Sequence, residues 1–143
     1  MELETTFHGT REFSEEDIIY FKKGIPGFEN LKKFIVFDVE DNGVFSVLQS
    51  IEDKDIGIIV VSPFSWVKDY EFNLDKETEE RLSINSSEEV LILNTVTLGS
   101  KLENVTINLR APLIVNVKNK SGEQLILTEE KYEIKHPLFK GGV

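Results

Sequence analysis

Turn chemistry interrupts this chain too often for long helices to form. It occurs at Gly24 to Gly27, Asp41-Asn42-Gly43, Ser62-Pro63, Gly99-Ser100 and Ser121-Gly122. The apolar runs between these points have the length and the Ile, Val, Leu and Phe content of strands. Strands are predicted near Leu3–Phe7, Ile18–Phe21, Phe34–Phe37, Val44–Gln49, Gly57–Val61, Tyr70–Leu74, Val90–Val96, Val105–Leu109, Leu113–Val117 and Gln124–Leu127. Val105-Thr106-Ile107-Asn108-Leu109 alternates apolar and polar, as a strand with one wet face does. Ile56 to Val61 is almost wholly apolar, which suits a central strand buried on both faces. Asp41-Asn42-Gly43 reads as a hairpin turn, because Asn and Gly tolerate positive φ.

One helix is expected, over Asp75-Lys76-Glu77-Thr78-Glu79-Glu80-Arg81-Leu82. Asp75 can accept a backbone N–H at its start, and acidic residues in the first turn suit the helix dipole. Leu74, Thr78 and Leu82 fall on one narrow face, which would lie against the sheet. Ser14-Glu15-Glu16-Asp17 resembles a capping sequence, but Ile18-Ile19-Tyr20-Phe21 behind it prefers a strand, so the stretch is a turn into a strand. The expected fold is mostly β: antiparallel strands in a closed or partly open barrel-like domain with one short helix. Closure removes sheet edges that would otherwise pair with other chains. At 143 residues, one domain is the natural division.

Sixteen basic residues against 26 acidic ones give a formal charge of −10. Nucleic acid and anionic membrane are disfavoured as direct partners, since both attract Lys and Arg and repel carboxylates. A basic protein partner is favoured, although the charge also serves solubility alone. The absence of cysteine excludes disulfides, thiolate nucleophiles and zinc–thiolate sites. The N-terminal Met-Glu-Leu-Glu-Thr-Thr does not read as a signal peptide and no apolar run is long enough to span a bilayer, so the expected address is the cytoplasm.

No phosphate loop, dinucleotide fingerprint or His-Glu-x-x-His pair is present. His8 and His136 lie near opposite ends of the chain and suggest neither a catalyst nor a metal site. Catalytic residues, cofactor and metal are all expected to be absent. Pro63-Phe64-Ser65-Trp66-Val67-Lys68-Asp69-Tyr70 admits two readings: a plug over one end of the core, or an exposed aromatic anchor with an acidic rim. On the second reading Asp69, Tyr70 and Glu71 are candidate partner contacts.

Phe21-Lys22-Lys23-Gly24-Ile25-Pro26-Gly27-Phe28-Glu29 is similar to the early signature of the FliW family of flagellar assembly factors, and further segments resemble that family in order. Phe45-Ser46-Val47-Leu48-Gln49-Ser50 resembles its Leu-Gln-Ser strand. Val60-Val61-Ser62-Pro63-Phe64 followed by Asp69-Tyr70 is similar to the next block. Val105 to Asn116 resembles its Asn-Leu-x-Ala-Pro stretch, carried here by Asn108, Leu109, Ala111 and Pro112. Gln124-Leu125-Ile126-Leu127, Tyr132 and His136-Pro137-Leu138 are similar to its C-terminal end. These motif residues read as fold determinants: Gly24 and Gly27 suit a rigid corner, Ala111-Pro112 a bend, and Asn108 a side-chain tie to that bend.

The resemblance implies a single FliW-like domain over residues 1–143 and a partner switch without catalysis. It implies binding of flagellin in the cytoplasm, and binding of the translational regulator CsrA to relieve its repression of flagellin synthesis. A monomer is expected. Two other classes stand beside this one: a small-ligand β-barrel without catalysis, and a hydrolase built on dispersed carboxylates.

Overall fold

The computed structural model describes all residues except 40–44, 66, 68, 69, 99–103, 129–131 and 138–143. Its strands are β1 (Glu2–Thr5), β2 (Gly9–Glu12), β3 (Ile19–Phe21), β4 (Lys33–Asp38), β5 (Ser46–Ser50), β6 (Gly57–Val61), β7 (Val90–Thr97), β8 (Thr106–Ile107), β9 (Leu113–Asn116), β10 (Ser121–Gln124) and β11 (His136–Pro137). The helix α1 spans Lys76–Arg81. The expected Asp41-Asn42-Gly43 turn lies outside the described residues.

Seven strands close into a barrel in the order β7-β6-β5-β4-β3-β10-β9. Antiparallel pairing of Val90 with Asn116 through Leu93 with Leu113 joins the last strand back to the first. The barrel is as expected from the short apolar runs, with one difference. β3 and β10 run parallel, with Tyr20 opposite Ser121 and Phe21 opposite Gly122. β8 pairs with the far end of β7, and β11 pairs with β8, so a short flap leaves the ring there. β1 and β2 form a separate antiparallel hairpin.

Period-2 side-chain alternation divides the apolar residues between the inside and outside of the ring. On β6, Ile58 and Val60 join the cluster that fills the barrel, while Ile59 and Val61 join a second cluster outside it. The central-strand reading of Ile56 to Val61 therefore holds. The interior is occupied by Phe21, Phe34, Leu48, Val60, Leu93, Leu113 and Val115, all buried. Phe21 and Phe34 meet edge to face with ring centres 5.6 Å apart. Gly122 makes room for that packing, because a Cβ there would lie 2.7 Å from the Phe21 ring.

Helix α1 forms where the sequence signals it. Asp75 Oδ1 accepts the Thr78 N–H at 2.7 Å. Thr78 and Leu82 are buried and Leu74 is half-buried, so the anticipated stripe faces the barrel. Leu82 and Ile84 pack there with Ile114 of β9. The Ser14-Glu15-Glu16-Asp17 stretch is a 3-10 turn over Glu15–Asp17 leading into β3, with a Ser14–Asp17 capping box.

Three expectations need correction. Residues 70–74 belong to no strand ladder. The last predicted strand begins earlier, at Ser121, although Leu125 and Leu127 still donate N–H groups to the Pro112 and Arg110 carbonyls. β2 and β11 are additional: β2 is polar, and β11 has only two residues, so neither shows apolar periodicity.

Candidate protein-binding surface

The motif residues of the early signature build one tight corner. Phe28 donates its N–H to the Ile25 carbonyl at 2.6 Å, closing a turn with Pro26 and Gly27 at its centre. Gly27 has φ +92°, so Pro at the second and Gly at the third position make the type II pattern. Gly24 has φ +69°, and a Cβ there would sit 2.5 Å from the Glu29 carbonyl oxygen. Ile25 is buried in the barrel core, while Phe28 keeps 36 % of its surface exposed.

The later motifs do similar work. Gln49 is buried, and its Nε2 donates to the carbonyls of Ser50 and Lys54, holding the loop between β5 and β6. Pro63 is buried and opens a 3-10 turn whose carbonyl accepts the Val67 N–H. Asn108 Oδ1 accepts the N–H groups of Arg110 and Ala111, both at 3.1 Å, which is the side-chain tie anticipated for that bend. Leu109 and Ala111 are buried beside it, as is Pro112. His136 pairs with Ile107 across the β8–β11 flap.

Of the predicted contact residues, Tyr70 and Glu71 are among those described. Asp69 and Trp66 lie outside the described residues. Tyr70 is 3 % exposed and is a core residue, which corrects its reading as an exposed aromatic. Its hydroxyl donates to the Leu109 carbonyl at 2.6 Å and accepts from Asn94 Nδ2 at 3.2 Å. Its ring packs against Tyr132 with centres 4.8 Å apart. A sequence signal for this burial existed in Asn94, a polar residue in the apolar run Val90 to Val96: a polar side chain among core positions needs partners. Glu71 is exposed, as expected, but its backbone is anchored. Its N–H donates to the Tyr132 hydroxyl at 2.9 Å, and that hydroxyl donates to the Glu71 carbonyl at 2.7 Å.

Beside Tyr70 lies an open groove of about 560 Å³. Phe72, Leu74, Ile84, Val90 and Ile92 give it an apolar floor, and Phe64, 53 % exposed, stands at its border. Among the described residues, Glu71 and Glu79 are the charged members of its lining. The nearby Arg81 is engaged elsewhere: its Nε and Nη2 bind the two carboxylate oxygens of Glu123 at 2.8 and 2.7 Å.

The shifted carboxylates outside the groove act as ionised ties. Arg81 hydrogen bonding holds the Glu123 carboxyl below the usual range. The backbone N–H groups of Lys32 and Lys33 do the same to Glu52, and that of Asn85 to Glu89. Hydrogen bonding to the charged form is the physical cause in each case. Among the described residues every shifted carboxyl moves downward, the direction of a structural acceptor and not of a proton donor poised near neutrality.

A family model described as FliW protein matches residues 2–138. The chain belongs to the FliW family. It is 63 % identical over 143 residues to the flagellar assembly factor FliW of Clostridium novyi strain NT, covering 100 % of both chains. It is 57 % identical over 140 residues to the protein of that name from Clostridium botulinum strain Okra, with 98 % of each covered. A crystal structure of the flagellar assembly factor FliW aligns with TM-score 0.91 at 37 % identity, over 100 % of both chains. The FliW motifs of this chain thus sit in turns and strand ends that shape the barrel. The groove between α1 and β7 shares Phe64 and Tyr70 with those motifs but draws most of its lining from residues outside them.

Proposed function

We propose that this FliW-family chain works by reversible protein binding in the cytoplasm, as a monomer. It holds flagellin, and it captures the regulator CsrA when flagellin is scarce. CsrA held in this way no longer represses flagellin translation; accumulating flagellin releases it. The reading is carried by the full-length likeness to proteins named flagellar assembly factor FliW. The charge of −10 supports it, since a regulator that grips RNA needs basic residues and is attracted to an acidic surface. The packed barrel interior leaves the outer surface for recognition.

Calorimetric titration of the purified chain with flagellin, and separately with CsrA, tests the proposal. Heat of binding with each is expected, with flagellin displacing CsrA; no heat with either would overturn it. Light scattering checks the monomer. Reversal of Asp69 and Glu71 to Lys should weaken CsrA binding by about tenfold, as rim charges do mainly through the association rate. The melting temperature should stay nearly unchanged, since Glu71 is exposed and exposed substitutions usually change stability little.

A further inference from the structure

One wall of the groove beside Tyr70 is a single run of chain. Glu71, Phe72, Asn73 and Leu74 are consecutive, and all four line it. Side chains of an extended segment alternate in direction, so four in a row reach one groove only if the backbone edge borders it. Exposure along residues 71–75 alternates accordingly: exposed, half-buried, exposed, half-buried, exposed. The sequence also reads as a strand here. Yet no ladder forms. Glu71 gives its own N–H and carbonyl to Tyr132, whereas those of Phe72, Asn73 and Leu74 have no hydrogen-bond partner among the described residues.

We propose that residues 72–74 are an unpaired strand edge that accepts an extended segment of a partner protein as an added β-strand. The added segment lays alternate apolar side chains over Phe72, Leu74 and Ile92 and sets Lys or Arg against Glu71 and Glu79. Three features argue for that occupant. Unmet backbone groups call for another backbone, and strand addition supplies main-chain hydrogen bonds while pockets select alternate side chains. The apolar floor calls for apolar side chains. The charged residues of the lining, among those described, are both acidic, which selects a basic segment over an acidic one. The inference deepens the protein-binding reading by naming where and in what form a partner is held.

Hydrogen–deuterium exchange on the intact chain tests this without a named partner. The probe is a capped peptide of alternating lysine and valine or isoleucine, seven residues long on the order of a typical strand. Controls are the same peptide with alternate backbone nitrogens methylated, and its glutamate-for-lysine counterpart. In the free chain the Phe72, Asn73 and Leu74 amides should exchange at least about 100-fold faster than the Leu48 and Val60 amides within ladders. Saturating lysine peptide should slow the alternate amides on the edge it joins, Phe72 with Leu74 or Asn73 alone, about tenfold or more, and neither control should do so. Slow exchange in the free chain at every concentration would mean that the chain covers its own edge. Protection growing with protein concentration would mean a second copy does. Either result, or no protection by the lysine peptide, would overturn the proposal. Repeating the exchange with flagellin and with CsrA separates this inference from the broader one: binding without protection at 72–74 removes only the strand addition.

Discussion

Gly24 and Gly27 share a positive φ but differ in what surrounds them. A Cβ at Gly24 would strike the Glu29 backbone, whereas one at Gly27 would meet nothing within 4 Å. Gly27→Ala should therefore cost about 1 kcal/mol, the price of the left-handed conformation alone. Gly24→Ala should cost clearly more, because backbone on both sides must move. Urea denaturation of the two variants checks the order. Glu123 makes a prediction in pH. Its carboxyl titrates lower in the fold than in the unfolded chain, because Arg81 binds the ionised form. The stability this gives is present above the unfolded value and is lost as pH falls through the folded one. Glu123→Gln should flatten the acid side of the stability–pH curve, with less effect on its slope near neutrality; an unchanged acid limb would remove the pair from the account.

The β1–β2 hairpin meets the barrel at Phe37 of β4 and at its turn, where the Thr6 N–H donates to the Lys54 carbonyl at 3.1 Å. The Arg11 guanidinium lies 4.2 Å from the centre of that ring, and His8 meets the ring edge with centres 5.7 Å apart. Phe37→Ala should speed amide exchange across residues 2–12 and leave β5 and β6 protected, because the barrel core lies on the other side of β4. This hairpin also marks how far the sequence could be read. Helix α1 was legible because its cap and its stripe are local signals: Asp75 and Thr78 stand three residues apart. β6 was legible because an apolar run declares itself. β2 was not, since Gly-Thr-Arg-Glu has no apolar alternation and its place depends on the Thr5 hydroxyl donating to the Gly9 carbonyl and on a ring from another strand. The parallel pairing of β3 with β10 joins segments a hundred residues apart, and no local pattern encodes it. Tyr70 was misread for a related reason. Its acidic neighbours describe the surface on either side of it, but Asn94 and Leu109, which bury it, are distant in sequence.

Across the whole molecule, charge sets how partners approach. A chain of formal charge −10 should meet a basic partner faster at low ionic strength. Raising salt from 50 to 300 mM should slow association by about tenfold or more while dissociation changes little, as stopped-flow mixing would show. An association rate indifferent to salt would leave the acidic surface without a part in recognition. The barrel's closure has a further consequence. β3 leaves the ribosome early, yet its neighbour β10 ends at Gln124, and the seam between β7 and β9 also waits for Leu113 to Asn116. A nascent chain must therefore carry two unzipped margins until Gln124 has emerged. A chain stopped before β10 inherits sticky borders instead of a smaller working version of the molecule.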